Sequence, residues 1–187
     1  MSRKSGMLNS ISGKLLAVMV CCMVVFGAVM GGYLVYFRGQ LVQERSLAMA
    51  KRLQAQVDTQ IDGKLDILLT NAISLTHNSR IVEAFQNNDY TIAEKELKQI
   101  IKEFEVADFK GTRFHLTRAD MRTLWRSYDD KRDDDISSRG MIKKFVSDKK
   151  PLWGVEMGKN GVGLRAMAPV NDASGSFMGI VETQLGV

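Results

Sequence analysis

The chain is poor in the residues that build covalent or metal-dependent sites. Its only cysteines, Cys21 and Cys22, are adjacent inside an apolar run. Neither a disulfide framework nor a metal-ligand spacing can be drawn from them. The two histidines, His77 and His115, lie far apart in sequence, which leaves a haem or zinc centre without donors. No Gly-x-Ser-x-Gly elbow and no nucleophile–histidine pairing is present. Acidic residues are missing from the first 37 positions, where Arg3, Lys4 and Lys14 supply three of the five net positive charges. The remainder is close to balanced, without the concentrated basic patch of a nucleic-acid binder. No metal, cofactor or nucleic-acid partner is expected, and no catalytic residue.

Charge is also missing from Leu15 to Phe37, a stretch long enough to cross about 30 Å of hydrocarbon as a helix. Lys14 and Arg38 bracket it, and Tyr33, Tyr36 and Phe37 stand at its far end as interfacial aromatics do. It exceeds the apolar region of about 7–15 residues in a cleaved signal peptide. The expectation is an uncleaved signal anchor over 15–37, with residues 1–14 inside the cell and 38–187 outside the membrane.

With 25% charged and 45% hydrophobic residues the rest reads as one ordered domain. Between Gln40 and Thr76 there is no proline, and Leu47, Ala50, Leu53, Val57, Ile61, Leu65, Leu68, Ala72 and Leu75 recur at steps of three and four. That spacing predicts an amphipathic helix. Dimer pairing is the favoured role of its membrane-proximal half and covering a sheet that of the part from Val57 onward; an ordinary core-facing helix with no assembly role is the alternative. Asn78-Ser79 should cap a short helix over Arg80–Gln86, and Thr91 a further one to about Glu105.

Beyond Ala107 the period shortens to two. Arg113–Thr117 and Arg122–Tyr128 read as strands, and a helix from about Ser138 to Asp148, capped by Ser137 or Asp135, separates them from three more. Asp129–Asp135 forms a dense mixed-charge loop that lacks the glycine and glutamate of a calcium loop. Leu152–Val170 reads as a hairpin around Gly158-Lys159-Asn160-Gly161. Pairing Met157 with Val162 sets Trp153, Val155, Met157, Val162, Leu164, Ala166 and Ala168 on one face, taken as core. The other face carries Glu156 opposite Gly163 and Arg165 opposite Gly154, with Glu156 and Arg165 as diagonal neighbours about 7–8 Å apart. Pairing Val170 with Phe177 brings Arg165 opposite Glu182. One arginine between two acids, beside two glycines that leave open space, is a candidate pocket floor; a plain structural ion-pair cluster is the alternative.

The runs Asp134-Asp135-Ile136-Ser137-Ser138-Arg139, Pro151–Gly158, Gly161–Arg165 with Pro169-Val170, and Gly179-Ile180-Val181-Glu182 resemble the Cache sensory domains of bacterial transmembrane receptors. The match covers about Thr112 to Glu182, and Asp133 stands where a glycine would be expected. The resemblance implies an α+β fold: an N-terminal transmembrane helix and a long helical spine (40–106) packed on a five-stranded antiparallel PAS-like sheet (111–185). It further implies the first module of a double Cache in a methyl-accepting chemotaxis protein or related receptor, in the bacterial inner membrane with the sensor domain in the periplasm or outside the cell. A small polar or anionic molecule would bind between the sheet and the inserted loop-helix. Matching positions give Arg139, Trp153, Glu156, Arg165 and Glu182 as ligand contacts, to which the paired strands add His115, Trp125 and Arg126. A homodimer through the spine is expected. Since the sequence stops right after the last strand, a truncated product or fragment of a receptor is expected too. Other readings are a histidine-kinase or cyclic-dinucleotide-enzyme sensor, a ligand-free dimerisation module and, most weakly, a membrane-anchored hydrolase.

Overall fold

The computed structural model describes residues 11–107, 109, 111–158 and 161–186. Lys159 and Asn160, at the expected hairpin turn, and residues 1–10 lie outside the described residues. The chain divides into two units, Met1–Val57 and Asp58–Val187.

In the first unit the described residues belong to helix α1 (Ile11–Thr76), which holds a window apolar and long enough to cross a membrane, with a mean hydropathy of 2.5. Leu47 and Leu53 from the amphipathic stripe are exposed there.

The second unit takes the C-terminal part of α1, then α2 (Ser79–Asn87), α3 (Tyr90–Val106), β1 (Thr112–Arg118), β2 (Thr123–Arg126), α4 (Gly140–Asp148), β3 (Leu152–Gly158), β4 (Gly161–Asn171) and β5 (Phe177–Gly186). The strands form one antiparallel sheet in the order β2-β1-β5-β4-β3, so β5, last in sequence, is central. The α+β fold is the one expected from the sequence.

Helix ends follow local polar chemistry. Asn78 caps α2, its side chain accepting from the amides of Arg80 and Ile81. Asp89, not Thr91, caps α3, because its carboxylate accepts from both the amide and the hydroxyl of Thr91. Helix α4 starts later than expected: Asp135 binds the Ser137 amide in a turn of its own, and Arg139 occupies the cap position without a side-chain capping bond. That guanidinium is engaged elsewhere.

One face of the sheet meets the helices. Phe114, Leu116, Trp125, Ala168, Val170 and Val181 pack with Ala72, Leu75, Ile81, Phe85, Ala93 and Leu97. Leu65 and Leu68 of α1 lie on Leu164 and Ala166, and the Thr183 hydroxyl donates to the Leu68 carbonyl at 2.7 Å. Gly179 permits a close approach of α2 and β1 to β5. A Cβ there would stand 2.4 Å from the Thr117 carbonyl oxygen and 2.5 Å from the Phe85 ring. Sheet contact on α1 begins at Ile61 and Leu65, later than expected, and Val57 is exposed.

The expected apolar face of the hairpin is therefore only half core. Leu164, Ala166 and Ala168 are buried, but Trp153, Val155, Met157 and Val162 are exposed. They lie on the spine side of the sheet, but β3 is an edge strand, and Ile61, Leu65, Leu68 and Leu69 of α1 cluster with Leu164, Ala166 and Leu185 of β4 and β5. On the opposite face α4 and the preceding loop cover one end of the sheet, where Ile136, Ile142 and Phe145 pack on Met167 and Ile180.

Candidate ligand site

The other end of that second face is polar. Hairpin register is as expected from the sequence: Met157 pairs with Val162, Glu156 with Gly163 and Gly154 with Arg165. Between β4 and β5 the pairing differs by two residues. Val170 faces Gly179, so Arg165 lies opposite Gln184 and Glu182 opposite Met167. Asn171 pairs with Phe177, already one step from the expected register, and a bulge between Val170 and Asn171 adds the second. Because side chains alternate with period two, an even shift keeps them on the same face. Arg165 still reaches Glu182 diagonally, Nη1 to Oε1 at 2.7 Å.

Glu182 is fully buried at the centre of the sheet. Arg139, arriving from the start of α4, grips it with two parallel bonds, Nη1 to Oε2 at 2.8 Å and Nη2 to Oε1 at 2.7 Å. This bidentate fork is the strong form of a guanidinium–carboxylate pair. His115 Nδ1 on β1 lies 3.3 Å from Oε2. Burial works hardest against ionising Glu182, yet the bonds and charge of Arg139, with those of His115, outweigh it. They hold the carboxyl well below its ordinary range. The Arg139 guanidinium is shifted up: burial disfavours its charge, but Glu182 and then Glu156 more than compensate.

Glu156 completes the group. Its Oε2 accepts from Arg139 Nε at 3.2 Å and Nη2 at 2.6 Å, and its Oε1 lies 3.5 Å from the Met141 amide in the first turn of α4. Arg165 Nε is 3.1 Å from Glu156 Oε2 but is not aligned for a hydrogen bond. Two arginines thus face two glutamates. Arg139, Arg165 and Glu156 each keep an accessible edge, while Glu182 keeps none. Gly154 leaves open space above the strand, with no heavy atom within 4 Å of a Cβ placed there.

His115 and Arg126 continue the face across β1 and β2. The imidazole Nε2 lies 2.9 Å from the Thr123 hydroxyl, and Nδ1 3.3 Å from that of Tyr128. Arg126, opposite His115, stacks over Tyr128 and donates to Asp134 Oδ1 at 2.8 Å. The acidic loop thereby docks on β2. At its centre Asp133 has a left-handed backbone, φ 57°, at the position where glycine was expected. Asp tolerates this region better than most residues, and here its carboxylate also pairs with Arg118 and Arg122.

The structure brings together His115, Arg126, Arg139, Glu156, Arg165 and Glu182 on one face. Two expected contacts lie off this face. Trp125 lies 2% exposed in the helix-side core opposite Leu116, because alternation points it away from Arg126. Trp153 stands half-exposed on the spine side of β3, across the sheet from Glu156. Tyr128 and Gln184 were not anticipated. Tyr128 lies beyond the end of β2, where alternation says nothing, and Gln184, two residues from Glu182, shares its face by alternation in either register but is set opposite Arg165 only by the observed one. Among the described residues no cluster of donors suited to a metal ion is found.

A family model described as the double sensory domain of two-component sensor kinases matches residues 44–185. A search of curated proteins finds no significant match. Among solved structures, the sensor domain of DcuS from E. coli is similar with a TM-score of 0.55 at 17% identity, over 68% of this chain and 92% of that one. The sensor domain of the histidine kinase DctB from V. cholerae is similar with a TM-score of 0.58 at 14% identity, over 74% of this chain. The chain spans 56% of the length of that DctB domain. At these identities the likeness speaks for the fold.

Proposed function

The chain belongs to the double Cache family of sensory domains, and from that premise we propose that it is the extracytoplasmic ligand-sensing region of a single-pass inner-membrane receptor. The proposed division places residues 1–14 in the cytoplasm, 15–37 in the membrane and 38–187 outside. Receptor class follows the family description, a sensor kinase in preference to the chemoreceptor suggested by local motifs. The ligand is a small polar or anionic molecule, and its site is the face formed by Arg139, Arg165, Glu156 and Glu182, with His115 and Arg126 alongside.

One observation carries the reading: the fully buried Glu182 holds two arginines from different elements with their outer edges open. Glu182 acts as an anchor. Glu156, on the edge strand beside Gly154 and Gly163, is the mobile acid. A ligand carboxylate competing for Arg139 and Arg165 displaces Glu156 towards the α4 amides, where a helix N-terminus favours negative charge. Binding thereby changes the contact between β3 and α4, and β5 is tied to α1 through Thr183 and Leu68. Homodimerisation through the exposed stripe of α1 is part of the proposal.

The test is the thermal midpoint of the full chain in detergent micelles, measured against acetate, succinate, glycine, glutamate and methylammonium. A compound at about 100 times its dissociation constant adds roughly 2.7 kcal/mol. A rise of the midpoint with one compound, absent in Arg165→Ala, supports the site. If none raises it while the chain melts cooperatively, the direct-sensing reading fails and a ligand-free dimerisation module takes its place.

A further inference from the structure

Four side chains on the polar face hold a buried atom without a hydrogen bond, Thr117, Arg126, Arg165 and Gln184, and the amide of Gln184 is the one set directly between two arginines. Gln184 is 7% exposed, and its Nε2 makes no hydrogen bond. A buried amide hydrogen without an acceptor is costly, and few such groups persist in native proteins without a function or a bound partner.

Its surroundings say what is missing. Gln184 pairs with Arg113 on β1 and with Arg165 on β4, and partners directly opposite each other share a face. An amide therefore stands between two guanidinium side chains in one row. Arg165 is committed to Glu182 and Glu156 through Nη1 and Nε. Arg113 is exposed, lies over the Tyr128 ring, and has no acidic partner among the described residues. The next row is floored by glycine, with Gly163 opposite both Glu156 and Gly186. Nothing stands within 4 Å of a Cβ placed at Gly186. This place offers donors, a positive charge without an acidic partner among the described residues, and room; what it lacks among them is an acceptor with negative charge.

We propose that Gln184, between Arg113 and Arg165, seats a carboxylate of the ligand. Its amide N–H accordingly sets the ligand class as a small organic acid. The inference rests on the reading of this face as the ligand site, and it narrows that reading. One carboxylate oxygen accepts from the Gln184 amide and the other from the Arg165 guanidinium. Arg113 at the rim supplies long-range attraction, weakened by salt.

The experiment is titration calorimetry on the full chain in detergent micelles with acetate, succinate and citrate, and with succinamide and methylammonium as uncharged and cationic counterparts. Wild type should bind at least one carboxylate and neither counterpart. Gln184→Leu, which removes the orphaned hydrogens, should weaken binding about tenfold, the loss of one hydrogen bond to a charged group, with an unliganded melting point no lower than wild type. Arg113→Gln, an exposed change that tests the idea even if the leucine variant does not fold, should weaken binding by about two- to fivefold and flatten its salt dependence. Carboxylate binding that Arg165→Ala abolishes but Gln184→Leu and Arg113→Gln leave intact would overturn this inference while sparing the site. Binding of methylammonium alone would overturn the ligand class. No binding by any compound overturns both.

Discussion

Replacing Glu182 by glutamine tests the electrostatic centre of the fold. The substitution keeps shape and removes one buried negative charge. Arg139 keeps its two bonds to Glu156 but loses the bidentate fork to Glu182, and Arg165 loses its 2.7 Å bond. The glutamine oxygen can accept from one guanidinium, and its amide then faces the other. Taking one partner from a buried ion pair costs about 3–5 kcal/mol, because the remaining charge is left uncompensated. The thermal midpoint should fall by roughly 6–20 °C at about 2–4 °C per kcal/mol. The pH dependence has a definite sign. Glu182 is depressed in the folded state from an unfolded value of about 4.3, so its stabilisation is complete above that value and is lost as pH falls towards the folded one. Wild type should therefore be level in this contribution from pH 8 to about 5 and weaken below about 4, and the glutamine variant should lose much of that decline. Urea unfolding of the full chain in detergent, followed by tryptophan fluorescence at several pH values, reads both. A variant within about 1 kcal/mol of wild type at pH 7 would refute the reasoning.

Further expectations concern packing and backbone. Trp125→Ala should cost about 3–5 kcal/mol, whereas Trp153→Ala, half-exposed on the edge strand, should cost under about 1 kcal/mol; equal losses in chemical denaturation would contradict the assigned faces. Gly179→Ala has no room between the Thr117 carbonyl and the Phe85 ring, so denaturation should show a loss at or above the usual 1–3 kcal/mol of overpacking. Asp133→Gly relieves a left-handed residue, worth about 1 kcal/mol, but gives up exposed pairs to Arg118 and Arg122 worth about 0–1 kcal/mol. Its melting point should stay within a few degrees of wild type, and a large fall would show that the carboxylate holds the loop.

Much of the site was legible in the sequence where punctuation is strong. Glycines around the hairpin turn fix the pairing of Met157 with Val162, and with it the faces of Glu156 and Arg165. The β4–β5 register was not legible, since half of its shift lies in the connecting turn and half in a bulge after Val170 that leaves no composition mark. Even so, its two-residue shift preserved the face and the Arg165–Glu182 contact. Arg139 came from likeness of local sequence, because nothing in helical periodicity says that a cap residue will turn its side chain to the sheet. The two tryptophans lie off this face for different reasons. Trp125 sits on a strand too short to fix its own register, and Trp153 follows its face correctly but lies beyond the reach of the helix that covers its neighbours.

Hydrogen exchange of the full chain with and without a bound carboxylate tests the central claim most directly. Ligand engagement of the polar face predicts altered protection in the first turn of α4, Gly140–Lys143, and along β3 from Leu152 to Gly158, where Glu156 changes partners. Changes confined to other segments, with these two unaltered, would contradict the site.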